Sequence, residues 1–217
     1  NEDIDEVFRE YYRCINSFPD AKNLKYVHQI LISNNIDAEH YIREEFDWIR
    51  SALSPKDRNK YLEILRVGRK FPFQKDLREQ ILTGLSLWEE KMTNVGIIDY
   101  LGLATQVHTF KDKIIPIYDH VIVDESQDFG TTELEIVKKL TKTGDNNLFL
   151  CGDIAQSVLP KSRSLKDATI QLEGRREKIM KNYRNTRQIL EVAYEILYNN
   201  LSDEHFNNSD DTLEILD

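Results

Sequence analysis

The sequence predicts a helix-rich α/β protein, and three observations carry that reading. Apolar residues recur at threes and fours through most of the first 109 positions, the period of helices buried along one face. Beyond Ile114 the pattern changes to short β-branched apolar runs, at 114–118 with 120–123 and again at 147–151, flanking a helical stretch at 131–142. Each run stops abruptly, the first in acidic residues and the second at Gly152-Asp153, as strands do at the ligand-binding edge of an open parallel sheet.

Taken in order, Val27, Ile30 and Leu31 and then Tyr41, Ile42, Phe46 and Ile49 mark the first amphipathic helices. Ser54-Pro55 reads as an N-cap followed by proline at the first helical position, opening a helix through Arg66. Pro72 interrupts, and 75–93 resumes as a helix with Ile81, Leu82, Leu85 and Trp88 on one face. Asp99 precedes Tyr100-Leu101 as the cap of another helix. After the two strands a last helix is expected at 186–199, followed by an acidic tail at 202–217. The expected domains are a helical subdomain at 1–113, a sheet-bearing segment at 114–177 and the start of a further domain at 178–217.

With 217 residues, 40% of them hydrophobic, the chain is long enough to bury a core. No apolar run approaches the ~20 residues that span a bilayer, and the acidic start NEDIDEVFREYY is unlike a signal peptide. A soluble, cytoplasmic protein with no membrane partner is expected. Cys14 and Cys151 form no metal-ligand pattern and read as core thiols. The net charge of −9 argues against a protein that coats nucleic acid over its whole surface. Locally, however, 56–78 holds eight basic residues against three acidic ones, interleaved with Tyr61, Phe71 and Phe73. Lys56, Arg58, Lys60, Arg66, Arg69 and Lys70 are the candidates there for sequence-blind contact with phosphates, and a solvated helix face is the plainer alternative.

Three strings carry chemistry. In VIVDESQD at 121–128, two adjacent carboxylates follow an apolar strand. In a nucleotide hydrolase the first, Asp124, would hold Mg²⁺, and the second, Glu125, would orient and deprotonate a water; neighbouring side chains at a strand end point different ways, as those tasks require. In LFLCGDIAQ at 148–156, Gly152 would let the backbone approach a ligand and Gln156 could reach a terminal phosphate or the catalytic water. In NYRNT at 182–186, Arg184 follows a stiff aromatic, Tyr183, and precedes a helix that Asn185 or Thr186 could cap. An arginine so held suits stabilisation of charge on a transferring phosphoryl group.

In this order and spacing the three strings resemble the second, third and fourth conserved motifs of UvrD/Rep-type superfamily 1 helicases. The resemblance implies a partial RecA-like, P-loop NTPase parallel sheet with a helical insertion, ATP and Mg²⁺ as cofactors, and single-stranded DNA or a single/double-strand junction as partner. It implies that Asp124 and Glu125 are the magnesium and general-base carboxylates, and that Gln127 and Asp128 complete the motif and link it to its neighbours. Asp153 and Gln156 would sense the γ-phosphate, and Arg184, beside Tyr183, would reach that phosphate from the second motor domain. YLEILRVGR at 61–69 and GIIDYLGL at 96–103 are similar to segments upstream of the second motif in a subgroup of the family, and Gly174-Arg175-Arg176 through Ile189-Leu190 is similar to its crossing between motor domains.

Two departures shape the expectation. The chain contains no GxxxxGK[ST] loop to cradle the phosphates, so it is expected to be a middle piece of a longer protein, to need the rest of its own chain, and to be inactive alone. Val158, Leu159 and Pro160 stand where relatives commonly carry an aromatic, in some a tryptophan that stacks on a DNA base, so base stacking through this loop is not expected. The alternatives are a helicase-like binding module that has lost hydrolysis, and a metal-dependent nuclease with Asp124, Glu125, Asp128 and Asp153 as ligands.

Overall fold

The computed structural model describes residues 2–13, 22–69, 71–153, 156, 159–172, 174–179 and 182–200. Cys14, Lys70, Val158 and the acidic tail lie outside the described residues. The chain forms two compact units, Asn1–Ile170 and Gln171–Asp217.

In the first unit, α1 (Glu2–Arg13), α2 (Lys22–Ser33), α3 (Ala38–Ala52) and α4 (Lys75–Val95) enclose the apolar core. Leu24, Val27 and Leu31 on α2, Ile42, Phe46 and Ile49 on α3, and Leu77, Ile81, Leu85, Trp88 and Met92 on α4 fall at threes and fours, so each helix turns one stripe inward. Phe8 of α1 meets Trp88 edge-on, with ring centroids 5.0 Å apart, and the Tyr11 hydroxyl donates to the Gly84 carbonyl at 2.8 Å. α5 (Tyr100–Thr109) starts where the sequence places its cap: an Asp99 carboxylate oxygen accepts from the Gly102 N–H at 2.7 Å. Fully buried Arg50 of α3 donates to both oxygens of the same carboxylate. Burial would push Asp99 up, but the Arg50 bonds and charge outweigh it and hold the carboxyl below its ordinary range.

The helix expected from Ser54 through Arg66 does not form. The Ser54 hydroxyl donates to the Asp57 carboxylate at 2.6 Å, and the chain continues as a short 3-10 turn, Arg58–Leu62. The cause is tertiary. Tyr61 and Arg66 both reach Glu45 of α3, and residues five apart lie on different sides of an α-helix, so one helix could not deliver both.

The sheet is parallel and two-stranded among the described residues: β1 (Val121–Val123) pairs with β2 (Leu148–Leu150) in the register Val121↔Leu148, Ile122↔Phe149, Val123↔Leu150. The first apolar run is strand over much less of its length than expected, for Tyr118 makes only an isolated parallel bridge to Thr141. Between the strands runs α6 (Thr131–Leu140), whose Glu133 carboxylate accepts from the Gly130 N–H at 2.8 Å; it packs on α3 and α5. Ile122 is 75% exposed and Phe149 61%, so one face of the sheet is apolar and open. The second unit contains α7 (Arg187–Asn200). No helix among the described residues is long and apolar enough to cross a membrane.

Candidate functional site

Parallel pairing of β1 with β2 brings the two acidic strings to one edge of the sheet. Beyond the strands the ladder continues, with Cys151 N–H donating to the Val123 carbonyl at 2.9 Å and Ser126 N–H to the Cys151 carbonyl at 2.8 Å. Asp124 and Glu125 therefore lie beside Cys151, Gly152 and Asp153, although about 28 residues separate the strings in the chain.

Glu125 adopts left-handed backbone angles, φ 49° and ψ 43°, which side-chain-bearing residues seldom hold. Such a conformation costs about 1–3 kcal/mol and persists where surrounding structure enforces it, commonly at functional sites. Here the bend separates neighbouring carboxylates. Asp124 accepts on Oδ1 from the Glu125 N–H at 2.9 Å and the Cys151 thiol at 3.1 Å, while a Glu125 oxygen accepts from Gln127 Nε2 at 2.7 Å. Those two donors, the thiol first, hold the Asp124 carboxyl below its usual range. The exposed, ionised Asp124 suits a hard divalent cation such as Mg²⁺. In the same loop Asp128 Oδ1 is buried and has no hydrogen-bond partner among the described residues.

Gln127 ties the strings together. Its buried side-chain amide donates to Glu125 and its carbonyl accepts from the Asp153 N–H at 3.1 Å. Asp153 in turn accepts from Gln156 Nε2 at 2.7 Å. Gly152 is needed for this fit, since a Cβ there would collide with Gln127 Oε1 and stand 2.9 Å from Ser126 Oγ. The close approach at Gly152 is thus to the neighbouring loop. Gly152→Ala is expected to destabilise the first unit by about 1–3 kcal/mol through overpacking, read by urea unfolding; a variant as stable as the parent would show slack between the loops.

The structure adds two residues to those named from sequence. Cys151, expected in the core, is half-buried at the strand end and hydrogen-bonded to Asp124. Arg163 places Nη2 3.4 Å from Oγ of Ser126 in the acidic loop. Neither has a local signal, since an isolated cysteine or arginine reads the same wherever it falls. Tyr183 and Arg184 belong to the second unit, where the Asn182 side chain accepts from the Arg184 and Asn185 N–H groups at 2.9 Å and both Tyr183 and Arg184 are exposed.

The basic-aromatic segment requires a correction. Arg66 and Arg69 are not open to phosphates: both are buried against Glu45, with Arg66 Nε and Nη2 at 2.5 and 2.6 Å from its oxygens and Arg69 Nε at 2.8 Å. Arg58 is spent on Glu89. Lys56 and Lys60 are exposed, with Lys60 paired to Asp57 at 2.7 Å. A cavity of about 410 Å³ lies in the helical region, lined among others by Arg50, Arg58, Glu89, Met92 and Thr105, and includes none of the motif residues. Among the described residues no three His, Cys, Asp or Glu side chains converge as a metal centre, so the four carboxylates of the nuclease alternative do not form one.

Residues 7–160 match the family model of the UvrD/REP helicase N-terminal domain. The chain is similar to an ATP-dependent helicase/nuclease subunit of Lactobacillus gasseri, 25% identical over 127 residues that make up 55% of this chain and 10% of that protein. It is also similar to a probable DNA helicase II homolog of Mycoplasma capricolum subsp. capricolum, 30% identical over 93 residues, 41% of this chain and 13% of that protein. The chain thus spans only 10–13% of the length of these relatives. No solved structure matches. With the family's model running through both strands and the acidic loops they carry, the chain belongs to the UvrD/REP helicase N-terminal domain family.

Proposed function

We propose that the chain is the central part of an ATP-dependent DNA helicase or translocase, carrying the magnesium-and-water side of a RecA-like nucleotide site. The single observation that carries this is the Gln127 bridge, which holds the Glu125 carboxylate and the Asp153 backbone in one unit at the sheet edge. Asp124 would hold Mg²⁺, which supplies charge neutralisation at the phosphates when bound. Glu125 takes the proton of the attacking water, and Gln156 and Asp153 respond to the terminal phosphate. Arg184, beside Tyr183, is assigned to stabilising charge on a phosphoryl group, and belongs to a second motor domain beginning near 178 that follows a sheet-bearing segment at 114–177 and a helical insertion at 1–113. The partner is single-stranded DNA or its junction with duplex, in the cytoplasm.

Completion by further chain is part of the proposal. Parallel sheets are ordinarily covered on both faces, and the open apolar face at Ile122 and Phe149 supports further elements docking there. Without a phosphate-cradling loop the 217 residues alone turn over no ATP. The test is magnesium-dependent ATPase activity of the full-length protein with and without single-stranded DNA. Stimulation by DNA is expected. A folded protein that binds DNA but hydrolyses nothing would replace the motor by a binding module.

A further inference from the structure

We infer that Ser51, in the last turn of α3, is a positioning residue for the nucleotide site, fixing the spacing of the two acidic loops; this rests on the function proposed above. Ser51 is fully buried. Its hydroxyl donates to the Trp48 carbonyl at 2.9 Å and accepts from the Ser162 N–H, also at 2.9 Å. Its own carbonyl is among the last four of α3, which lack helical donors, and it accepts from the Thr132 hydroxyl at 3.2 Å, as the Arg50 carbonyl does at 3.3 Å. The chain leaving the first acidic string passes directly over this serine. A Cβ on Gly130 would stand 2.5 Å from Ser51 Cβ and 2.9 Å from its carbonyl oxygen, so only glycine fits.

The chain leaving the second string arrives at the same point. Ser162 follows that string, and besides its bond to Ser51 its carbonyl accepts from the Thr131 N–H at 3.0 Å, while the Ser164 N–H donates to Thr131 Oγ1 at 2.9 Å. The acidic loops are therefore pinned at both ends, upstream by the pairing of β1 with β2 and downstream by the knot on Ser51. The span that Gln127 bridges lies between these pins. Arg50, the preceding residue, anchors the Asp99 cap of α5, so the end of α3 gathers α5, α6 and both loops on one turn of helix. A displacement of the helical region is carried to the spacing between Glu125 and Asp153 through this turn.

Amide hydrogen exchange on the full-length protein tests the inference without nucleotide. Ser51→Ala removes the acceptor of the Ser162 N–H. The amides of Ser126, Cys151 and Asp153, which donate across the two loops, are expected to exchange about tenfold faster while the core amides of α4 keep their rates. Thr132→Val is expected to act in the same direction and Thr132→Ser to behave as the parent. In the full-length protein, Ser51→Ala is expected to lower kcat for ATP about tenfold with KM changed less than twofold. Parental exchange at the three amides in both Ser51→Ala and Thr132→Val overturns the inference; a uniform rise that includes α4 does the same, since it marks Ser51 as a general stability residue. If the parent itself hydrolyses no ATP, the motor reading fails, and the exchange rates still decide the role of Ser51.

Discussion

Glu125→Gln in the full-length protein is expected to reduce ATP turnover at least about a hundredfold, the low end of what a positioned general base contributes. Nucleotide affinity should change little. The substitution keeps the size of the side chain and an oxygen that can still accept from Gln127 Nε2, so the bridge to Asp153 survives. What it removes is the ability to take a proton from water. The left-handed bend at Glu125 makes the comparison cleaner, because both side chains bear the same backbone strain there. Steady-state hydrolysis with a parallel binding titration separates the terms. Turnover at the parental rate would move the base elsewhere, and loss of binding together with turnover would show that the carboxylate serves the site's architecture.

The largest stability effect is expected at Glu45. This buried carboxylate accepts from the Tyr61 hydroxyl at 2.6 Å, from two nitrogens of Arg66 and from Arg69, whose guanidinium also lies over the Tyr41 ring, 4.0 Å from its centroid. Glu45→Ala leaves two buried guanidinium groups without their main counter-charge, a loss of about 3–5 kcal/mol. Urea unfolding would measure it, and a cost below about 1 kcal/mol would mean that water or Glu44 takes over. The pH dependence has a definite sign. Burial alone would raise the Glu45 carboxyl, but the bonds and charges of Arg66 and Arg69 outweigh it and hold it below its ordinary value. A depressed folded value contributes stability above the unfolded pKa of about 4.3, and that contribution is lost as pH falls through the folded value. Stability curves of the parent and Glu45→Gln should therefore lie apart at neutral pH and converge in acid. Parallel curves would show that the network does not depend on ionised Glu45.

The same network explains where sequence reading stops. The basic residues at 56–78 are plain to count, but Glu45 lies 21 positions before Arg66, outside any local window, and turns that arginine inward. The 54–66 segment carries a sound helix-start signal at Ser54-Pro55, overridden because Tyr61 and Arg66 must reach one carboxylate. Cys151 reads as a core thiol because it forms no metal-ligand pattern with Cys14, and strand register alone sets it beside Asp124.

By itself the sequence determined what local chemistry determines. The helical stripes of α2, α3 and α4 follow from spacing, the start of α5 follows from the Asp99 cap, and the acidic ends of β1 and β2 follow from their composition. The family was legible for the same reason, since its motifs are short contiguous strings. Only the tertiary structure decided which charges face inward, that Gln127 joins Glu125 to Asp153, and that Ser51 lies beneath both loops. These are contacts between residues distant in the chain. Their geometry is set by parallel strand register and helix packing, which bring the groups within hydrogen-bond reach only once the chain has folded.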